Sequence, residues 1–106
     1  MNIPSETIDR AVEILKREMN PRMVILFGST ARGEAGPDSD LDLIVVLDHV
    51  DSRIGEMRRA SALLASLRVP VDVLVYSQAE VEQWGSVTNH VINEALLDGR
   101  VIYDAA

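Results

Sequence analysis

The chain has 106 residues, no cysteine and a formal net charge of -7, with seventeen acidic residues against ten basic ones. That length supports one core and leaves no room for a catalytic domain plus a separate substrate domain, so residues 1–106 read as a single domain. Disulfides and thiolate metal sites are excluded, and the negative charge works against attraction to a nucleic-acid backbone. No signal segment or membrane-length apolar run is present, so a cytoplasmic location with no membrane partner is the expectation.

In chain order, Ile8, Ala11, Val12, Leu15 and Met19 recur at helical spacing and stop at Asn20-Pro21, which predicts an amphipathic first helix. A short β-branched apolar run, Val24 to Phe27, follows as a buried strand. Gly28 permits an abrupt turn after it, and Ser29 or Thr30 is placed to cap a new helix. A helix N-terminus presents unpaired backbone N–H groups and the positive end of its dipole, so a triphosphate fits there. The Ser29 hydroxyl and the Arg32 guanidinium would add donors. Turn glycines after strands are common, and alone Gly28, Gly33 and Arg32 would read as an ordinary exposed turn.

A polar loop carrying Ser39 leads into Asp40-Leu41-Asp42-Leu43-Ile44-Val45-Val46. Side chains alternate across a strand, so Asp40 and Asp42 share one face, about 7 Å apart at their Cα atoms, while Leu41, Leu43 and Val45 pack on the other. Two carboxylates at that spacing can converge on a pair of divalent cations, the arrangement used for in-line phosphoryl and nucleotidyl transfer. Hard oxygen ligands favour Mg²⁺, with Mn²⁺ as the alternative. An amphipathic strand with its aspartates in water is the plain alternative. It is weakened because Asp is disfavoured in strands and two on one face repel.

The stretch Ser52 to Leu67 predicts a second long helix with Ile54, Met57, Ala60 and Leu64 on its inner face. Val69 to Val75 is an apolar strand run interrupted only by Asp72, which completes a three-carboxylate site if this strand lies beside the one bearing Asp40 and Asp42. Otherwise Asp72 is a strand-end aspartate on a backbone N–H. Ser77-Gln78-Ala79-Glu80 reads as a capping box, and a last helix around His90 to Leu97 closes at Asp98-Gly99. The order α-β-α-β-α-β-α gives an α/β fold: a small mixed three-stranded sheet, with room for a short extra C-terminal strand, flanked by about four helices.

Two partial motifs fail. Gly28-x-x-x-x-Gly33 begins like a P-loop, but Glu34 and Ala35 stand where Lys and Ser/Thr belong. Asp38-x-Asp40-x-Asp42 begins like an EF-hand, but Leu43 replaces the turn glycine and His49 the terminal glutamate. Neither histidine forms a ligand pattern: His49 follows a strand and His90 sits in the last helix, both in structural or surface roles. Arg53, Arg58, Arg59 and Arg68 read as a solvated helix face able to meet an acidic partner. Trp84 and Tyr103 read as core anchors or interface markers.

Gly28-Ser29, ten intervening residues from Thr30 to Ser39, Asp40-x-Asp42 and a later strand aspartate together resemble the nucleotidyltransferase superfamily that includes DNA polymerase beta. The chain is most similar to the stand-alone minimal nucleotidyltransferases of bacteria and archaea, many of which act as antitoxins to HEPN-domain ribonuclease toxins. The resemblance covers nearly the whole chain, including the closing Asn93 to Asp104 stretch. It implies that Asp40 and Asp42 hold two metal ions, and that Asp72 completes the catalytic metal site and favours deprotonation of the attacking hydroxyl. It also implies that Gly28, Ser29 and Arg32 hold the β- and γ-phosphates, with Ser39 in the same nucleotide-binding motif.

The expected activity is Mg²⁺-dependent transfer of AMP from ATP to a tyrosine hydroxyl of a cognate HEPN toxin encoded next to this chain. Two other readings stand beside it: a binding antitoxin that blocks its partner by burial, and a small-molecule nucleotidyltransferase, disfavoured because no extra helical domain encloses a substrate.

Overall fold

The computed structural model describes residues 4–28 and 40–105. Among these, the elements are α1 (Ser5–Met19), β1 (Met23–Phe27), β2 (Leu41–Leu47), α2 (Arg53–Leu64) with a 3₁₀ turn at Ala65–Leu67, β3 (Val71–Ser77), α3 (Gln78–Trp84), α4 (Val91–Asp98) and β4 (Arg100–Asp104). The strands form one mixed sheet in the order β3-β2-β1-β4. The central pair β1 and β2 is antiparallel, β2 and β3 are parallel, and β4 joins antiparallel to β1 as the additional C-terminal strand.

The period-2 pattern of the strands divides the molecule. Val24 and Leu26, Leu41, Leu43, Val45 and Leu47, and Val73 and Val75 all point to one face and pack under α1 (Ile8, Ala11, Leu15) and α2 (Ala60, Leu64). The intervening residues Ile25, Ile44 and Val46 point to the other face, where Ala95 of α4 and the half-buried Phe27, Leu74, Tyr76 and Val81 join them. Each fully buried Leu or Ile contributes about 1.5–3 kcal/mol by leaving water. The α1/α2 side, with more than twice as many buried residues, therefore carries most of the apolar stabilisation.

The ends of the helices follow from their sequences. Asn20, in the left-handed region at φ 48°, closes α1 ahead of Pro21 as expected. Ser52 caps α2 by accepting from the Gly55 N–H. The helix then tightens into the 3₁₀ turn after Leu64 and stops at Arg68, whose φ of 57° reverses the chain before β3.

Ile54 departs from the expected inner face: it is 64% exposed. The contact of that first turn is made by Arg53 instead, which donates to the Val75 carbonyl at 2.8 Å, pairs with Glu80, and lies 4.8 Å from the Tyr76 ring centroid. Arg53 therefore ties α2 to β3 and α3 while its side chain stays partly exposed. Arg58, Arg59 and Arg68 are exposed as expected.

The capping box is present in full. The Ser77 hydroxyl accepts from the Glu80 N–H, and the Glu80 carboxylate accepts from the Ser77 N–H. His90 does not sit inside the last helix. It precedes α4 as its N-cap, with Nδ1 accepting from the Ile92 N–H at 3.1 Å and its ring stacked on Trp84 at 5.1 Å. Trp84 is thereby a half-buried anchor, and Tyr103 is another, with the Lys16 ammonium 5.0 Å from its ring centroid. No helix among the described residues is long and apolar enough to cross a membrane.

Candidate functional site

The site is built at the end of the sheet where β1 finishes and β2 and β3 begin. In the parallel β2–β3 ladder Asp42 is the register partner of Asp72, so the two side chains project from the same face of adjacent strands. Asp40 stands just before β2, two residues from Asp42 and on the same side by the strand period. Each of the three carboxylates offers an oxygen, and these oxygens lie within 4.8 Å of one another. Asp40 and Asp72 are exposed and Asp42 is half-buried.

The face matters. Asp42 and Asp72 have the same parity as Ile44, Val46, Leu74 and Tyr76, which α3 and α4 cover further along the strands. The aspartates lie beyond that cover, at the open end. Leu41 and Val71, the residues beside them in sequence, turn into the α1/α2 core and fix the strands that carry the carboxylates. An apolar residue on one side of each aspartate is thus what allows the aspartate to be presented on the other.

Gly28 follows β1 at φ +74°, a conformation that favours glycine. Phe27 pairs across the ladder with Asp42, so Gly28 passes directly over the Asp42 side chain. A Cβ on Gly28 would overlap the Asp42 carboxylate and stand 3.1 Å from its Cγ. Only a bare backbone can turn here while the carboxylate stays in place. Ser29, Arg32 and Ser39, the other residues assigned to nucleotide binding from the sequence, lie outside the described residues.

The donor set suits a divalent cation. Three carboxylate oxygens converging from two strands and the residue before one of them are hard, anionic ligands of the kind Mg²⁺ and Mn²⁺ take. The combination of strand, glycine turn, paired aspartates and a third aspartate on the parallel neighbour could hold a divalent cation.

Comparison with known proteins places the family and the fold. Residues 8–102 match the model of the nucleotidyltransferase domain family, and the chain belongs to that family. Its fold is similar to one chain of a toxin–antitoxin structure with AMP-PNP, at a TM-score of 0.70 and 18% identity, covering 96% of this chain and 74% of that one. A chain of the MntA–HepT toxin–antitoxin structure aligns at a TM-score of 0.66 and 16% identity over 95% of this chain and 73% of that one. A nucleotidyltransferase candidate from Sulfolobus solfataricus gives a TM-score of 0.61 at 20% identity, covering 94% and 79% of the two chains. No curated relative matches the chain.

Sequence reasoning missed two contacts, one at the far end of β3 and one against this site. Arg53 passed for a surface cation because its helical position said nothing of the β3 carbonyl and the Tyr76 ring it reaches. The α4 face made by Val91, Glu94, Ala95 and Asp98, which lies against Phe27 and Gly28, was also missed. Its i, i+3, i+4, i+7 spacing was the available signal.

Proposed function

We propose that this chain is a divalent-metal-dependent protein adenylyltransferase that moves AMP from ATP to a tyrosine hydroxyl of a HEPN-type toxin, and so acts as its antitoxin. The convergence of Asp40, Asp42 and Asp72 is the observation that carries the reading. The family match supports nucleotidyl transfer, and the likeness in fold to chains of toxin–antitoxin structures supports the partner.

In this reading Asp40 and Asp42 hold two Mg²⁺ ions and Asp72 completes the ligand set of one of them. When bound, the ions neutralise the triphosphate and stabilise charge on the departing pyrophosphate. Gly28, with Ser29, Arg32 and Ser39, binds the phosphate tail. At Gly28 the absence of a side chain leaves the backbone open to a close approach. Asp72 favours removal of the proton from the attacking tyrosine hydroxyl. The oxygen then bonds to the α-phosphorus, the bond to the bridging oxygen breaks, and pyrophosphate leaves on the opposite side. The acceptor hydroxyl has to stand within about 3–3.5 Å of the phosphorus, a placement that a docked partner would supply.

Co-expression with the product of the neighbouring reading frame tests this. The wild-type chain should leave that product with an adenylyl mass increment on tyrosine, and the Asp40→Asn variant should leave it unmodified. Equal neutralisation of toxicity by both chains, with no modified peptide in either, would assign neutralisation to burial of the partner and remove the transferase reading.

A further inference from the structure

A cavity of about 140 Å³ opens between the end of β1 and the start of α4, lined by Phe27, Gly28, Val91, Glu94, Ala95 and Asp98. It adjoins the carboxylate site through one residue, since Gly28 both lines it and lies against Asp42. At about 30 Å³ per water in the liquid, the space holds four or five waters or a single flat heterocycle.

The lining is divided by chemistry. Phe27, Val91 and Ala95 give an apolar wall with one aromatic ring. Glu94 and Asp98, one helical turn apart on the same side of α4, give two exposed carboxylates. Of the parts of a nucleoside triphosphate, the phosphates are repelled by those carboxylates. The ribose offers little to an apolar wall. A base satisfies both, with ring faces that stack on Phe27 and edge N–H groups that donate to carboxylate oxygens. The triphosphate tail then runs past Gly28 toward Asp40, Asp42 and Asp72.

Resting on the nucleotidyl-transfer reading, we infer that this cavity is the base pocket, and that Glu94 and Asp98 select a purine bearing an exocyclic amino group by accepting its N–H hydrogens. Glu94 and Asp98 are then specificity residues of the same site, with no part in the bond-making step. A base lacking the amino group leaves both carboxylates facing a ring edge with nothing to donate, and is bound less well. The pocket also gives α4 a functional reason to sit over Phe27: it closes one side of the site by shape and leaves the carboxylate side open for the acceptor.

The test is a set of binding measurements in Mg²⁺ on the wild-type chain and the Glu94→Ala/Asp98→Ala double variant, using ATP, purine riboside triphosphate (which lacks the amino group) and inorganic tripolyphosphate. Both residues are exposed, so the variant should fold, and its melting curve checks that it does. The wild type should prefer ATP over purine riboside triphosphate by about tenfold or more, the effect of hydrogen bonds to charged groups. In the double variant that ratio should collapse toward one, whatever happens to tripolyphosphate affinity. An unchanged ratio in a chain that still binds ATP would overturn the base pocket and leave nucleotidyl transfer standing. Loss of modification of the partner protein with the ratio unchanged would also overturn it, assigning the two carboxylates to a basic segment of the acceptor. Failure of every triphosphate to bind would overturn the pocket and the transferase reading together.

Discussion

Asp42 and Leu43 are neighbours on one strand and do opposite work. Leu43 is fully buried in the α1/α2 core, while Asp42 is held at the edge of the thinner α3/α4 side among carboxylates that repel it. The same contrast repeats at Val71 and Asp72. One face of the sheet supplies stability, and the other spends some of it to hold like charges together at a place where a cation and a nucleotide can enter. Substitutions on the two faces should therefore separate activity from stability.

The largest separation is expected at Asp42. If Asp42 is a metal ligand as proposed, Asp42→Asn should lower transfer by roughly a thousandfold or more, since metal ions supply several kcal/mol of transition-state stabilisation. At the exposed Asp72 the contrast is cleanest: Asp72→Asn should abolish transfer, yet shift unfolding free energy by no more than about 0.5 kcal/mol in chelator, upward if relief of repulsion dominates. Urea denaturation beside an activity assay reads both. A loss of several kcal/mol at Asp72 would make it a structural aspartate and erase the contrast.

Leu43→Ala should behave in reverse, costing about 2–5 kcal/mol of stability through lost burial and a residual cavity. Whatever fraction of the variant remains folded should still bind nucleotide. Gly28→Ala lies between the two. A left-handed φ costs a residue with a Cβ about 1–2 kcal/mol, and the added methyl displaces the Asp42 carboxylate, so thermal stability and transfer should fall together. Normal transfer from Gly28→Ala would show that the close approach of β1 to Asp42 is not needed.

Much of this division was legible in the sequence. Alternation alone told which of Leu41, Asp42, Leu43 and Ile44 shared a face, and the interruption of an apolar run by Asp72 marked the third carboxylate. The adjacency of β2 and β3, which made the cluster possible, was an assumption that the parallel ladder bears out. Side chains that reach across elements were not legible. Arg53 occupies a helical position indistinguishable from that of Arg58, and only the placement of β3 gives it a carbonyl and a ring to meet. Ile54 reads as inward by spacing, but the first turn of α2 lies outside the packed part of that face. His90 was misplaced by one position, because Nδ1 capping is a rare use of a histidine that residue type does not announce.

The smallest expected effect concerns the joint between α2 and α3 at the far end of β3. Hydrogen bonding from Arg53, with help from the Ser77 backbone, holds the Glu80 carboxyl below its ordinary value of 4.5. A depressed carboxylate contributes stability that is present above its unfolded value and is lost as pH falls through the folded one. The Arg53–Glu80 contribution should therefore persist at neutral pH and fade below about pH 4.5. Both groups are partly exposed, so Arg53→Ala should cost little from the ion pair itself, about 0.5 kcal/mol, plus the loss of the Tyr76 contact. A difference between wild type and Arg53→Ala that stays constant from pH 7 to pH 3 would rule out the titrating pair as its source.

The central claim is that three carboxylates on the thin face form a site for divalent cations and a triphosphate. Titration calorimetry of ATP into the wild-type chain, with Mg²⁺ or Mn²⁺ and then with excess chelator, tests it most directly. Binding should be clear with metal and should disappear with chelator, because without a cation the carboxylates repel the phosphates. Equal affinity in the two conditions would contradict the account.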